Sequence, residues 1–164
     1  MASGDTLAIF TAHVNQPPPT GFATIDLRNS HMVLDFQAAD PRAAIFGGVL
    51  PRNYAGGGIT VRIYWMASTA TSGGVKWNAQ FERHESGTTD LDADDFAAAQ
   101  TVTTAAPATS GAVQYTNIAF TDGAQIDSLA VGESFRLKIV RDTPDAGDNM
   151  AGDAQLLRVE LRET

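Results

Sequence analysis

Oxygen-bearing side chains are the first candidates for chemistry in this sequence. Asp90, Asp92 and Asp94 alternate with Leu91 and Ala93, and Asp95 follows. Alternating carboxylates are how a loop presents hard ligands to calcium, so Asp90, Asp92 and Asp94 are candidate calcium ligands. The stretch lacks the sharp-turn glycine and the distal glutamate of an EF-hand, and aspartates at this density also serve as turn and cap formers. Asp142, Asp145, Asp148 and Asp153 make a second acidic loop that carries the same two readings.

Other constellations are incomplete. His13, His31 and His84 lie far apart, and the chain has no cysteine to complete a zinc site with them. His84-Glu85 opens like a zincin motif, but Thr88 stands where the second histidine belongs. No Gly-x-Ser-x-Gly elbow occurs, so a Ser-His-Asp triad would have to assemble in space without a local signature. A glycosidase needs two carboxyl groups facing one cleft, and Glu82, Glu85, Glu133, Glu160 and Glu163 do not pair at strand spacing. The Gly56–Gly58 run leads into a strand pattern with no Gly-Lys-Ser/Thr after it, which reads as a turn and not a phosphate cradle. The sequence therefore implies no enzyme, no catalytic residue and no cofactor. Tyr54, Tyr64 and Tyr115 are the flat rings on which a sugar could stack, and Tyr64 falls on the polar side of its strand.

The elements that position these residues follow from period-two alternation. In Gly58–His84, Ile59, Val61, Ile63 and Trp65 alternate with polar positions, and Val75, Trp77, Ala79 and Phe81 do so again after Ser68–Gly74. The link is too long for a tight hairpin and reads as a loop at a sandwich end. Both tryptophans fall on the apolar faces, and two strands alone cannot cover them, so a second sheet is required. Trp65, Trp77, Phe81, Ile63, Phe135, Leu137 and Val159 are the expected core.

The same pattern places strands at Phe22–Arg28, Met32–Gln37, Ala43–Leu50, Thr101–Ala106, Ala112–Thr121, Ser134–Arg141 and Ala154–Arg162. In the last of these Leu157, Val159 and Leu161 are expected to share the core face. Gly47-Gly48 suggests a bulge or a close backbone approach. Phe96–Gln100 could make one or two helical turns behind its acidic leader. Pro17, Pro18 and Pro19 enforce an extended run without N–H donors. Met1–Gly21 therefore reads as an extended N-terminal arm that docks on a partner through Pro17, Pro18 and Pro19, or as a frayed terminus, with Leu7–Ala12 able to pair as an edge strand. Residues 22–164 form one domain, an all-β antiparallel sandwich of jelly-roll type, with an immunoglobulin-like sandwich as the alternative.

Composition bounds the partners. The chain of 164 residues is long enough to bury a core without disulfide or metal. Its net charge of −8 repels phosphate backbones and anionic lipid, so nucleic acid and membrane are not expected partners. No apolar run approaches the ~18 residues of a membrane span, and MASGDTLAIF does not read as a signal peptide.

The segments VLPRNYAGGGITVRIYWMA, GGVKWNAQFER, FTDGAQIDSLAVGESFRLKIVRD and DAQLLRVELRE together resemble jelly-roll modules of tailed-bacteriophage virion proteins. The resemblance covers the sandwich in style and strand order and transfers no functional residue. It implies a capsid decoration (cement) protein, homotrimeric, bound to the major capsid protein on the outer capsid surface of the virion and made in the host cytoplasm. A carbohydrate-binding module, or a tail receptor-binding module of the same fold, is the alternative function.

Overall fold

A computed structural model describes residues 4–164. Alternating sequence becomes ten strands: β1 (Thr6–Thr11), β2 (Thr24–Arg28), β3 (His31–Phe36), β4 (Arg42–Val49), β5 (Ile59–Ala67), β6 (Gly74–His84), β7 (Gln100–Ala105), β8 (Gln114–Phe120), β9 (Ser134–Arg141) and β10 (Ala154–Glu163). Helix is confined to two three-residue 3₁₀ turns, Ala12–Val14 and Ala124–Ile126, among the described residues. The strands form an antiparallel sandwich of two sheets. One sheet has six strands in the order β2-β3-β10-β5-β8, with β1 also paired to β10; the other has four in the order β4-β9-β6-β7.

The two tryptophan strands do not form one covered pair. β5 lies in the six-stranded sheet and β6 in the four-stranded sheet, so the loop between them crosses the end of the sandwich. Trp65 and Trp77 cover each other from opposite sheets, fully buried, with ring centroids 5.7 Å apart and edge-on. Phe81, Ile63, Phe135, Leu137 and Val159 fill the same core, as their alternation predicts. The Trp65 Nε1–H donates to Thr116 Oγ1 at 2.9 Å, and the Thr116 hydroxyl donates to Thr104 Oγ1 at 2.8 Å. That chain of hydrogen bonds runs from β5 through β8 to β7, tying one sheet to the other.

Gly47 and Gly48 lie in unbroken register with β9, so there is no bulge there. The close approach is real: a Cβ on Gly48 would sit 2.9 Å from the Phe135 ring and 3.2 Å from that of Phe10. Gly58 is required for a different reason, since its φ of +100° suits glycine and a Cβ there would meet the Phe120 carbonyl oxygen at 2.6 Å.

Residues 6–16 belong to the sandwich and not to an arm. β1 pairs with Arg158–Arg162 of β10, Phe10 is buried against Phe46 and Phe135, and Asn15 bridges to Phe46. The physical reason is the apolar side chains of Leu7, Phe10 and Ala12, whose burial holds the segment before the prolines begin. Pro17, Pro18 and Pro19 span between Gln16, whose N–H donates to the Ile45 carbonyl, and Gly21, whose carbonyl accepts from Ala43. The run is thus anchored at both ends on the edge of β4. Residues 1–3 of the expected arm lie outside the described residues.

Candidate functional site

The outer face of the six-stranded sheet presents the side chains that alternation turns away from the core. On β5 these are Thr60, Arg62, Tyr64 and Met66; on β8 they are Tyr115 and Asn117, directly opposite Tyr64 and Arg62. On β10 the outward positions include Glu160 and Arg162, facing Tyr64's neighbours and β1. Ile9 of β1 stands beside Glu160.

Tyr64 and Tyr115 meet on this face, with ring centroids 6.1 Å apart and planes at 60°. Tyr115 remains 53% exposed. The Arg62 guanidinium lies 4.1 Å over the Tyr115 ring and donates from Nε to Asn117 Oδ1 at 2.9 Å. The Tyr64 hydroxyl donates to Glu160 Oε2 at 3.0 Å, and the Thr6 hydroxyl donates to Glu160 Oε1. The Tyr64 ring is therefore held at its hydroxyl by Glu160, and the Tyr115 ring on one face by Arg62. An aromatic surface flanked by fixed hydrogen-bonding groups is what a sugar chain requires: its C–H faces pack on the ring and its hydroxyls meet the polar rim.

Three depressions follow the outward positions of β5. One of about 290 Å³ is lined by Met66, Leu157, Val113 and Arg28. The next, about 300 Å³, is lined by Tyr64, Leu157, Ile9, Arg158 and Glu160. The third, about 230 Å³, is lined by Thr60, Arg62, Asn117 and Arg162. From position 60 to 66 the strand advances ~20 Å at about 3.4 Å per residue, so the trough has the length for an extended chain and not only a single ring.

Leu157 enters this trough because of a β-bulge. Leu156 pairs with Trp65 and Arg158 with Tyr64, so β10 carries one extra residue. Leu156 takes the core position and Leu157 is half-buried on the outer face, which corrects the expectation that Leu157 shares a face with Val159 and Leu161. The bulge sits where β10 exchanges its neighbour β3, paired through Leu156, for β1, paired from Arg158.

Tyr54 is elsewhere. It is buried at the sandwich end, where its hydroxyl donates to Asp122 Oδ1 at 2.9 Å and accepts the Gly58 N–H at 2.9 Å. Burial first, and the Asp122 carboxylate next, push its pKa up to about 12.

The acidic loops hydrogen-bond within themselves and to the sandwich. Asp90, Asp92 and Asp94 lie in an exposed turn in which Asp90 Oδ1 accepts the Asp92 N–H and the Asp90 carbonyl accepts from Ala93 and Asp94. Among the described residues no group of three His, Asp or Glu side chains is placed to hold a metal ion. In the second loop Asp148 and Arg141 form a fully buried pair at 2.8 Å, and Arg141 also donates to the carbonyls of Phe36, Met150 and Gly152. Asp145 binds Lys76, whose ammonium holds that carboxyl below its usual range. The segment after the first loop is extended and not helical: Ala97 N–H donates to the Phe81 carbonyl, and Phe96 lies over Arg136 and Lys138.

A depression of about 670 Å³ opens at the sandwich end between Val49, His84, Glu85 and Ser134 and has no Tyr, Trp or Phe in its wall. His84 and Ser134 face each other there because they are register partners across β6 and β9. The Ser134 Oγ is 3.4 Å from His84 Nδ1, and His84 Nε2 is 3.9 Å from Glu82 Oε1, both longer than a working proton relay. Glu82, expected at a solvent-facing position, is instead buried and takes two hydrogen bonds from Arg136.

No protein-family model matches the sequence, and no curated protein matches it. The fold has similar solved structures. The CBM22-2 xylan-binding domain of Paenibacillus barcinonensis Xyn10C superposes with a TM-score of 0.57 at 10% identity, over 96% of this chain and 99% of that one. The CBM36-1 domain of a multidomain xylanase from the hindgut metagenome of Trinervitermes trinervoides gives 0.52 at 8% identity, over 96% and 97%. The xylan-binding module CBM15 gives 0.51 at 8% identity, again over 96% and 97%. These likenesses correct the resemblance to tailed-phage virion proteins, and with it the capsid decoration role and the outer-capsid location. The resemblance rested on strand order and sequence style, which many jelly rolls share whatever they bind.

Proposed function

We propose that this chain is a non-catalytic glycan-binding module that takes an extended polysaccharide along the outer face of its six-stranded sheet. The observation that carries the reading is the Tyr64–Tyr115 pair, Tyr64 half-buried and held by Glu160, Tyr115 exposed and held by Arg62, in the middle of a trough that follows β5. The likeness of the whole sandwich to modules described as xylan-binding supports a β-linked plant polysaccharide as the first ligand to try. The polar groups around the rings are already hydrogen-bonded to one another, so the face is pre-organised and loses little freedom on binding.

Isothermal titration against xylan, mixed-linked β-glucan and laminarin tests this. Micromolar to millimolar binding to one of them is expected, weakened about tenfold in Tyr115→Ala, a change of about 1.4 kcal/mol. Lack of binding to every glycan in a broad array would overturn the proposal.

A further inference from the structure

Arg158 is the one outward arginine of this face that makes no hydrogen bond, ion pair or ring contact among the described residues. Arg62 is tied to Asn117 and Tyr115, Arg162 to the Gly4 carbonyl, and Arg28 to the carbonyls of Ala67 and Ser68 and to Gln155. The Arg158 guanidinium has no hydrogen bond or ion pair among the described residues, and the side chain is exposed. Its position is set by the bulge in β10, which turns Leu157 and Arg158 outward in succession and brings Arg158 level with Tyr64. It lines the central depression of about 300 Å³ between the apolar side chains of Ile9 and Leu157. In a chain of net charge −8, an unpaired cation at the middle of the trough stands out against the general field.

We propose that the trough prefers glycans carrying uronate carboxylates over neutral chains, with Arg158 as the group that receives the carboxylate. This rests on the glycan-binding reading above. A guanidinium presents a planar fork of donors that matches the two oxygens of a carboxylate, and the apolar flanks reduce competition from water for that contact. Glu160 lies on the same wall but is occupied by Tyr64 and Thr6, so its charge is already engaged while that of Arg158 is open. The uronate approaches Arg158 from the Leu157 side, while the neighbouring sugar rings lie over Tyr64 and Tyr115.

Calorimetry with three ligands tests the preference: native glucuronoxylan, the same polysaccharide with its carboxyls reduced to alcohols, and a sulfated form of the reduced chain. The wild-type protein is expected to bind the native chain about fivefold more tightly than the reduced one, with the advantage shrinking as salt is raised. Arg158→Gln should bring that ratio close to one, and Arg158→Lys should restore only part of it. Equal affinity of the wild type for native and reduced chains would overturn the uronate preference while leaving glycan binding intact. Binding to none of the three, nor to any neutral glycan, would overturn the reading beneath it. A sulfated chain bound as well as the native one would replace carboxylate recognition with simple charge attraction. A ratio unchanged in Arg158→Gln would remove Arg158 from the account.

Discussion

The two outer faces of the sandwich use similar side chains to opposite ends. Each places an arginine over an aromatic ring: Arg62 over Tyr115 on the six-stranded sheet, Arg136 over Phe96 on the four-stranded sheet. On the four-stranded sheet the ring comes from a segment of the chain itself, which crosses the face and bonds to it through Ala97. Beneath it Arg136 is closed onto the buried Glu82. On the six-stranded sheet nothing among the described residues crosses the rings, and Tyr115, Ile9 and Val113 stay more than half exposed. The comparison teaches that an aromatic–cation pair marks a binding face only where the chain has not already supplied the occupant.

The deepest way to break the comparison is to remove what supports both faces. Trp77→Ala should cost about 3–5 kcal/mol in urea unfolding, because the facing Trp65 would line a cavity that β-strands cannot collapse to fill. Glu82→Ala should cost less, about 2 kcal/mol, by leaving the partly exposed Arg136 without its carboxylate. Its glycan affinity should match that of the wild type, since the change is confined to the covered face. Tyr115→Ala is the mirror experiment, with folding stability within about 0.5 kcal/mol of wild type and glycan binding weakened about tenfold. A Glu82 variant that lost glycan affinity while Tyr115→Ala kept it would mean the faces had been assigned in reverse.

Acid titration sharpens the contrast further and has the smallest effect. Arg83 holds Glu133, and Lys76 holds Asp145, below the usual carboxylate range, both on the four-stranded side. A depressed carboxyl lends stability above its unfolded pKa, about 4, and that contribution is lost as pH falls through the folded value. Asp35 of β3, on the six-stranded sheet, is raised, chiefly by burial and then by the charges of Asp26 and Asp153. Its sign is opposite: it costs nothing while protonated and costs stability as pH rises through its folded pKa. Carbon-detected NMR titration should therefore find Asp35 protonating before Asp145 on acidification; the reverse order would refute the electrostatic difference between the sides.

How much of this was legible in the sequence depends on whether a residue's neighbours were close along the chain. Trp65, Trp77 and Phe81 announce their burial through strict alternation, and the all-β sandwich follows from counting such runs. Tyr64 and Tyr115 could be named as sugar-stacking candidates, but not that β5 and β8 would set them opposite each other. Leu156-Leu157 did carry a signal, since two successive apolar residues break the period, yet reading the bulge required knowing that β3 stops and β1 begins along β10. Glu82 gave no sign of burial, because the segment that covers it lies more than ten residues further on. Pro17, Pro18 and Pro19 suggested release where the chain is in fact pinned, because Asn15 and Gly21 supply the hydrogen bonds that prolines lack.

The pairing of β1 with β10 has a consequence for protein engineering. Gly4 N–H donates to the Glu163 carbonyl and Glu163 N–H to that of Asp5, so the described ends of the chain run side by side on one sheet. A short glycine-rich splice between them would close a small loop at little entropic cost. New ends could then be cut into the exposed Ser86–Thr88 turn, on the far side from the tyrosine trough. Such a circular permutant keeps every strand pair, and it would let the tyrosine face be displayed on a scaffold with either orientation of the tether.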